Sequence, residues 1–420
     1  MTLFDEILTQ FPPDVQTTVR KIWDALGPNE KASFTSLLLG FPTDVSLVKS
    51  LVKMSTAQIR QAFGTKHRVV IAGPTNVGKS TLYNQLIQNK SDQAAVSLLP
   101  GTTTVNQEAD AALFSVIDTP GADAVGNMGA HEKDLALAAA AGADFVVLVF
   151  DAVQGIKQTE LDLFREISSL GKPYVVALNK IDLVPHKDLD SVISSAAKNL
   201  GLEHDQILPI AAKDGRNIGK VLLAIAATEP GMVAALGAAL PQYRWQLAWQ
   251  ATVRAASISA AIALTPLPVV DFVPLVVTQS ILVISIARIY NYKITPARAR
   301  ELVATFGMAF LGRTLFEEFS KLGGLPGWLL SAAVAASTTV AMGYAAVRWF
   351  EKGEKLSAGT LRKISQNLTA ALLETLKGLG KHKPGQKGLR ERITLALENS
   401  AMAESPAVLD AEAGSASEEQ

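Results

Sequence analysis

Short apolar runs alternate with helical patterns between residues 66 and 230, and this alternation restricts the fold more than any other feature. The apolar runs span 68–72, 112–117, 145–150, 174–178 and 207–210, and the helical patterns span 79–89, 130–141, 157–170, 187–200 and 217–228. Runs 145–150 and 174–178 are almost wholly apolar, as central parallel strands are when both of their faces are buried. The pattern predicts an α/β fold with a doubly wound, mostly parallel sheet that binds its ligand at the carboxyl ends of the strands.

The segment GPTNVGKS at 73–80 lies between the first run and the first helical pattern, and it matches the phosphate-binding loop GxxxxGK[ST]. Its two glycines let the backbone curl so that the amides point at phosphate oxygens, and the following helix adds its positive N-terminal end. Lys79 would reach the β- and γ-phosphates, and the Ser80 hydroxyl would bind Mg²⁺. The nucleotide-binding residues expected in this loop are Gly73, Pro74, Thr75, Asn76, Val77, Gly78, Lys79, Ser80 and Thr81.

The segment NKID at 179–182 directly follows an apolar run and distinguishes GTP from ATP. The Asp182 carboxylate can accept hydrogen bonds from the N1 and N2 donors of guanine, whereas adenine offers no such pair. A site built around that acceptor rejects the wrong base by a factor on the order of 10⁴. Asn179 is expected to brace the P-loop and the base edge, and the Lys180 stem is expected to lie over the ring. A further segment, AAK, follows the fifth run and comprises Ala211, Ala212 and Lys213. Its central amide is expected to donate to guanine O6.

Two segments between the P-loop and NKID have the composition of switch loops. PGTTT supplies Thr103 for the γ-phosphate and Mg²⁺. DTPG follows the second run, where Asp118 would hold Mg²⁺ through a water and the Gly121 amide would contact the γ-phosphate. Lys79, Thr103 and Gly121 are therefore the candidate catalytic residues, and Ser80, Thr103 and Asp118 are the candidate Mg²⁺ ligands.

Taken together, GPTNVGKSTLYNQL, PGTTT, DTPG, NKID and AAK resemble the Era/TrmE branch of bacterial-type GTPases over residues 65–230. The resemblance implies a Ras-like P-loop G domain that hydrolyses Mg²⁺·GTP to GDP in a bacterial-type cell. It also implies switch loops ordered by the nucleotide, with a protein effector or a second G domain as partner.

The sequence departs from this family at two positions. Ala122 follows DTPG where Ras-like proteins have a water-orienting glutamine, so slow unaided hydrolysis is expected. The switch reads TTTVN, which offers no arginine where the family often has one. Asn76 occupies the position at which some relatives bind potassium beside the phosphates, and such an ion would replace an arginine finger. Glu132 is a candidate for orienting the water, or it is an exposed glutamate at a helix start.

The strand pattern ends at about residue 231, and long apolar helices are expected beyond it. Residues 255–287 contain a single charge, Asp271, and residues 322–347 contain none. The first stretch, with its Pro-rich turn and Gln279, reads as a helical hairpin or a kinked helix. It resembles a hydrophobic helical domain found behind Era-like G domains in some bacterial proteins.

The predicted domains are a helical segment at 1–64, the G domain at 65–230 and a hydrophobic, all-α domain at 231–356. Amphipathic helices follow at 357–400, and a disordered acidic tail follows at 401–420.

Residues 322–347 are long enough to cross a bilayer, which takes about 20 apolar residues. Two full spans would place the basic 288–321 loop on the far side, which conflicts with the positive-inside rule. The expectation is therefore a location on the cytoplasmic face of a membrane, as hairpins entering from that face or as a bundle in the interface, with two full spans as an alternative. A buried core helix of a soluble bundle is the other interpretation of this stretch. Trp328, Tyr344 and Trp349 are expected to lie near the ends of the apolar stretch.

Composition excludes several classes of function. The chain has no cysteine, so it has no disulfide and no thiolate site, and its five histidines lack metal-ligand spacing. Lys+Arg and Asp+Glu are equal at 39 each, so no specific nucleic-acid partner is expected. The leading hypothesis is a membrane-associated regulatory GTPase. The alternatives are a soluble ribosome- or RNA-related GTPase, a dynamin-like remodeler, and a GTP-binding scaffold with negligible hydrolysis.

Overall fold

The structure is a computed structural model of the 420-residue chain. It describes residues 68–86, 113–118, 137–264, 272–292, 309–320, 326–376 and 384–403, together with Asp5, Leu8, Thr9, Pro13, Gln16, Arg20 and Leu409. The chain forms two compact units, Thr65–Leu240 and Pro241–Gln420 together with Met1–Gly64. Most of the predicted N-terminal helical segment and the acidic tail lie outside the described residues.

A five-stranded parallel sheet forms the centre of the first unit. The strands are β1 (Val69–Gly73), β2 (Phe114–Asp118), β3 (Phe145–Asp151), β4 (Tyr174–Asn179) and β5 (Ile207–Pro209), in the order β2-β1-β3-β4-β5. β1 and β3 are buried along their whole length, as their largely apolar composition predicts. In the register of the sheet, Gly73 pairs with Asp118, and Asp151 pairs with Asn179. The carboxyl ends of four strands therefore meet at one edge, and the expected doubly wound fold is confirmed.

Helices follow the strands of this sheet. They are α1 (Lys79–Leu86), α2 (Gln158–Ser169), α3 (His186–Leu200), α4 (Ile218–Thr228) and α5 (Val233–Ala239). Phe164 and Ile167 of α2 pack with Leu148 and Phe150 of β3 in one apolar core. α3 ends at Gly201, whose φ of 68° is the left-handed conformation that often closes a helix.

The first unit extends beyond residue 230, where the sequence pattern placed its end. The turn Pro230–Met232 and α5 fold back at an angle of 114° to α4. Met232 and Leu236 are fully buried there, and the Glu229 side chain accepts a hydrogen bond from the Gly231 amide at 3.2 Å. The apolar stretch that begins the C-terminal half of the sequence thus contributes its first turns to the G domain.

The second unit is helical throughout its described part. Its helices are α6 (Arg244–Ala263), α7 (Phe272–Ile289), α8 (Ala309–Ser320), α9 (Gly327–Lys352), α10 (Ala358–Leu376) and α11 (Gln386–Glu398). α9 packs against α6, α7, α8 and α10, and α6 also packs against α7 and α11. α6 and α7 are the two arms expected around the Pro-rich turn, whose residues 265–271 are not described.

Small side chains allow the helices of the second unit to approach closely. A Cβ atom on Gly343 of α9 would overlap the Thr252 side chain of α6. A buried polar layer lies across three helices, in which Gln279 donates to Thr339 at 3.2 Å and Thr339 donates to Ser259 at 3.0 Å. Every group in this layer has a hydrogen-bond partner, which removes most of the cost of burying it.

α9 corresponds to the predicted apolar stretch at 322–347. Among the described residues it is the one helix long and apolar enough to cross a membrane, and 94% of its most apolar window is buried against the other helices. A core helix of a soluble bundle has the same properties. Tyr344, near the end of this helix, is only 2% exposed and lies in the core of the unit.

Candidate functional site

The P-loop joins β1 to α1 and requires glycine at both of its ends. Gly73 has a φ of 153° and Gly78 a φ of 95°, conformations that other residues rarely adopt. A Cβ atom on Gly73 would overlap the Val149 carbonyl, and one on Gly78 would overlap the Asn179 side-chain amide. The loop can therefore curl only because these two side chains are absent.

The Lys79 side chain lies inside this loop and is 3% exposed. Its ammonium group donates to the Gly73 carbonyl at 2.7 Å and to the Pro74 carbonyl at 2.5 Å. These carbonyls hold the positive charge where the loop curls, at the N-terminal end of α1. A phosphate bound at this place would face both the ammonium and the end of the helix dipole.

Asn179, the last residue of β4, connects the P-loop to the AAK segment. Its amide nitrogen donates to the Val77 carbonyl at 2.8 Å, and its amide oxygen accepts from the Ala212 amide at 2.9 Å. The side chain is 2% exposed. Both of its polar ends are thus used to join two loops that are far apart in sequence.

Lys180 continues from Asn179 with a φ of 67° and forms an ion pair with Asp151 at 2.7 Å. The other oxygen of Asp151 accepts from the amides of Val153 and Gln154 at 2.8 and 3.3 Å. Asp151 is 3% exposed, and it fixes both the Lys180 ammonium and the turn that follows β3. Asp182 lies in the next short turn, Ile181–Leu183, and is half-buried.

Asp151 is a residue of the site that the sequence reasoning missed. The signal was present, because the run FVVLVFD ends in an acid at the carboxyl edge of a buried strand, where ligands bind in such sheets. A second acid lies near it. Burial raises the pKa of the Glu160 carboxyl, and Asp151 adds to the rise, whereas the backbone amide and the charge of Lys157 oppose it.

Replacing Asp151 by asparagine is expected to weaken GTP and GDP binding about tenfold. The neutral amide no longer pairs with Lys180, so the lysine stem is held less firmly against the base. Fluorescent-nucleotide titration measures the change, with Asp162→Asn on the exposed face of α2 as the matched control. Equal affinities for the two variants would contradict the role given to Asp151.

The remaining predicted residues are placed in part. Asp118 ends β2 beside Gly73 in the register, and Ser80 lies in the first turn of α1, so the backbone brings both candidate Mg²⁺ ligands to the same edge. Asn76 is exposed with a φ of 65°. Thr103 and Gly121 lie outside the described residues. Thr81 belongs to α1, Thr75 is half-buried, Ala211 is buried, and Lys213 is exposed.

The fold and this site define a P-loop GTPase domain. Residues 68–180 match the model of the 50S ribosome-binding GTPase family, and residues 234–377 match a domain of unknown function (DUF697). The second match falls on the region whose helical pattern resembled a hydrophobic domain behind Era-like G domains. Both expected resemblances are confirmed.

Bacterial GTPases are among the similar proteins. GTPase Der from Psychrobacter arcticus is 34% identical over 170 residues, covering 39% of this chain and 34% of the relative. The tRNA modification GTPase MnmE from Synechocystis sp. is 33% identical over 165 residues, covering 36% and 35%. GTPase Era from Trichlorobacter lovleyi is 35% identical over 163 residues, covering 37% and 52%. The chain thus carries a bacterial GTPase domain of the Era, Der and MnmE type, and it spans about a third to a half of the length of these relatives.

Proposed function

We propose that this protein is a membrane-associated regulatory GTPase that binds Mg²⁺·GTP and hydrolyses it to GDP. The observation that carries the nucleotide part is the position of Asn179, which holds the P-loop and the AAK segment together. A triphosphate in the loop and a base against Asp182 would then belong to one ligand. The guanine specificity follows from the two acceptor oxygens of the Asp182 carboxylate.

The residues of the chain contribute to hydrolysis mainly by stabilising charge. Lys79 exchanges the Gly73 and Pro74 carbonyls for phosphate oxygens, and the loop amides donate to the same oxygens. This arrangement neutralises charge on the γ-phosphate as water attacks in line. Thr103 and Gly121 complete the site on the γ-phosphate side, and their ordering distinguishes GTP from GDP.

Oxygen donors at the edge of the sheet suit Mg²⁺. Ser80 and Asp118 are placed on neighbouring elements, and a hydroxyl with a water-bridged carboxylate is a donor set this ion prefers. When bound, Mg²⁺ supplies Lewis-acid neutralisation of the phosphate charge. Asn76 is the candidate ligand for a potassium ion, which would compensate for the missing glutamine at Ala122.

The change in the switch loops between GTP and GDP is proposed to be transmitted to the helical unit or to a protein effector. The free energy available to such coupling comes from the contacts to the γ-phosphate, because these contacts form with GTP and are absent with GDP. Membrane association at the cytoplasmic face is supported by the apolar composition of α6, α7 and α9. The burial of α9 favours a peripheral or monotopic bundle over one in which α9 leaves its packing partners and crosses the bilayer alone.

The proposal predicts GTP turnover that is slow in sodium chloride and faster in potassium chloride. Phosphate release by the full-length chain measures it in both salts. Lys79→Ala is expected to lower turnover on the order of 10²- to 10³-fold, since it removes a charged donor from the transition state.

Asn76→Gly separates the potassium effect from the rest of the site, because glycine accepts the positive φ at this position. This variant is expected to abolish the difference between the salts while retaining the sodium rate. If the unmodified protein turns over GTP no faster than Lys79→Ala in both salts, the protein is a GTP-binding scaffold instead.

A further inference from the structure

In three helices of the second unit, α6, α7 and α9, most of the charged residues lie at one end of the helix. α7 carries a single charged residue, Arg288, in its last turn, and α9 carries three, all within its last turn and a half. α6 has Arg244 at its first position and Arg254 in the middle, with no charge after it. The charged parts are thus the start of α6 and the ends of α7 and α9.

Side-chain contacts bring these three helix ends together. The guanidinium of Arg244 lies over the Tyr290 ring at 5.7 Å, which joins the start of α6 to the residue after α7. The Tyr292 and Phe350 rings are 5.0 Å apart, which joins the same chain segment to the last turn of α9. The uncharged parts of α6, α7 and α9 therefore extend away from this shared end.

Aromatic and basic side chains alternate at this end of the bundle. Trp349 stacks on Phe350 with ring centroids 5.6 Å apart, and the Lys355 ammonium lies over the Trp349 ring at 5.4 Å. Lys352 and Lys355 are exposed, and both rings are partly exposed. The aromatic end is defined here by Arg244, Arg288, Tyr290, Tyr292, Arg348, Trp349, Phe350, Glu351, Lys352, Glu354 and Lys355. Its five basic and two acidic residues give it a net positive charge, in which the three arginines are partly buried and Arg348 forms an ion pair with the exposed Glu354.

A positive surface with interleaved tryptophan, tyrosine and phenylalanine fits the headgroup layer of a bilayer. Such rings place an apolar body and a polar edge at the same depth, and lysine near an anionic leaflet gains about 1 kcal/mol. The cytoplasmic leaflet is the anionic one.

End-on docking requires no unpacking of the bundle. The flanks of α9 are already covered by neighbouring helices, so sideways insertion would first expose a packed core. The exposed faces of α10 and α11 carry charges such as Arg362, Glu374 and Arg392, which do not enter hydrocarbon at low cost. The aromatic end is a described surface that combines partly exposed rings with exposed cations.

We propose that the aromatic end of the helical unit docks on the anionic headgroups of a lipid bilayer. This inference rests on the proposed membrane association and adds to it the surface, the lipid class and the orientation. Lys352 and Lys355 contribute most of the electrostatic attraction, and the Trp349 and Phe350 rings enter the headgroup layer.

Cosedimentation of the full-length protein with vesicles tests this surface. Vesicles of phosphatidylcholine alone are compared with vesicles that also contain phosphatidylglycerol. Lys352→Ala combined with Lys355→Ala is expected to weaken binding to the anionic vesicles about thirtyfold, since each lysine contributes a factor of about five. Lys187→Ala combined with Lys198→Ala removes the same charge from the exposed face of α3 and is expected to leave binding unchanged. Both double variants alter exposed side chains, and circular dichroism together with GTP affinity checks that they fold.

The outcomes separate this inference from the proposal on which it rests. Preferential binding to anionic vesicles, lost with raised salt and with the Lys352/Lys355 variant alone, supports docking through the aromatic end. Binding that is equal on both vesicles, or equal for both double variants, overturns this surface but retains membrane association. Absence of binding to either vesicle, with GTP or with GDP, overturns both this surface and membrane association.

Discussion

Replacing Asp182 by asparagine is expected to weaken GTP binding on the order of 10³-fold or more. The carboxylate offers two acceptor oxygens to the N1 and N2 donors of guanine, whereas the amide offers one acceptor and one donor. The amide NH₂ would face the guanine N2 donor, so one hydrogen bond is lost and two donors are left opposed. Sites built on such hydrogen-bonded pairs reject a ligand that lacks the matching groups by a factor of about 10⁴ to 10⁵.

The same substitution is expected to create affinity for xanthosine triphosphate. Xanthine carries a carbonyl where guanine has its amino group, so it presents a donor at N1 and an acceptor at position 2. The asparagine amide matches that pair. Competition of each unlabelled nucleotide against a labelled one measures both effects, and Asp205→Asn on an exposed turn is the control. A variant that retains GTP affinity would place the base elsewhere.

Sequence periodicity predicted the G domain well because its strands are buried on both faces. An unbroken run such as 145–150 has few alternatives to a central strand, and β3 spans Phe145–Asp151. The P-loop was predicted for a similar reason, since a Cβ atom at Gly73 or Gly78 would meet other atoms of the site. At these positions the residue type by itself leaves few alternative local structures.

Features that depend on tertiary packing were not predicted. Asp151 ends β3 and Lys180 follows β4, so their contact depends on the pairing of these two strands in the sheet and joins residues that are far apart in sequence. The burial of Tyr344 was not predicted either, because the sequence shows only that this residue lies near one end of the apolar stretch. Its burial depends on the helices packed around α9, which periodicity within a single helix cannot reveal.

The domain boundary illustrates the same limit. Apolar composition changes at about residue 231, but α5 packs back on α4 and belongs to the first unit. Apolar composition indicates that a segment is buried, but not against which other elements. Only the bend of 114° between α4 and the segment after it determines which core buries that segment.

Replacing Asn179 by alanine is expected to disrupt both the nucleotide site and the stability of the G domain. The substitution leaves the Val77 carbonyl and the Ala212 amide without their side-chain partner in a buried place. Each such group costs about 1–3 kcal/mol when unsatisfied. Because the Val77 carbonyl belongs to the P-loop and the Ala212 amide to the base site, the loss separates the two halves of the ligand site.

The expected result is GTP affinity lower on the order of 10²-fold and a melting temperature lower by several degrees, at about 2–4 °C per kcal/mol for a domain of this size. Thermal unfolding with and without GDP measures both, since the ligand shift reports affinity independently of the starting stability. Asn179→Asp sharpens the test, because it keeps the acceptor for the Ala212 amide and opposes the Val77 carbonyl with a negative oxygen. Gln158→Ala removes an exposed amide from α2 and serves as the control. If Asn179→Ala unfolds at the wild-type temperature and binds GDP as tightly, the two loops are held by other contacts, and the P-loop and base site are independent.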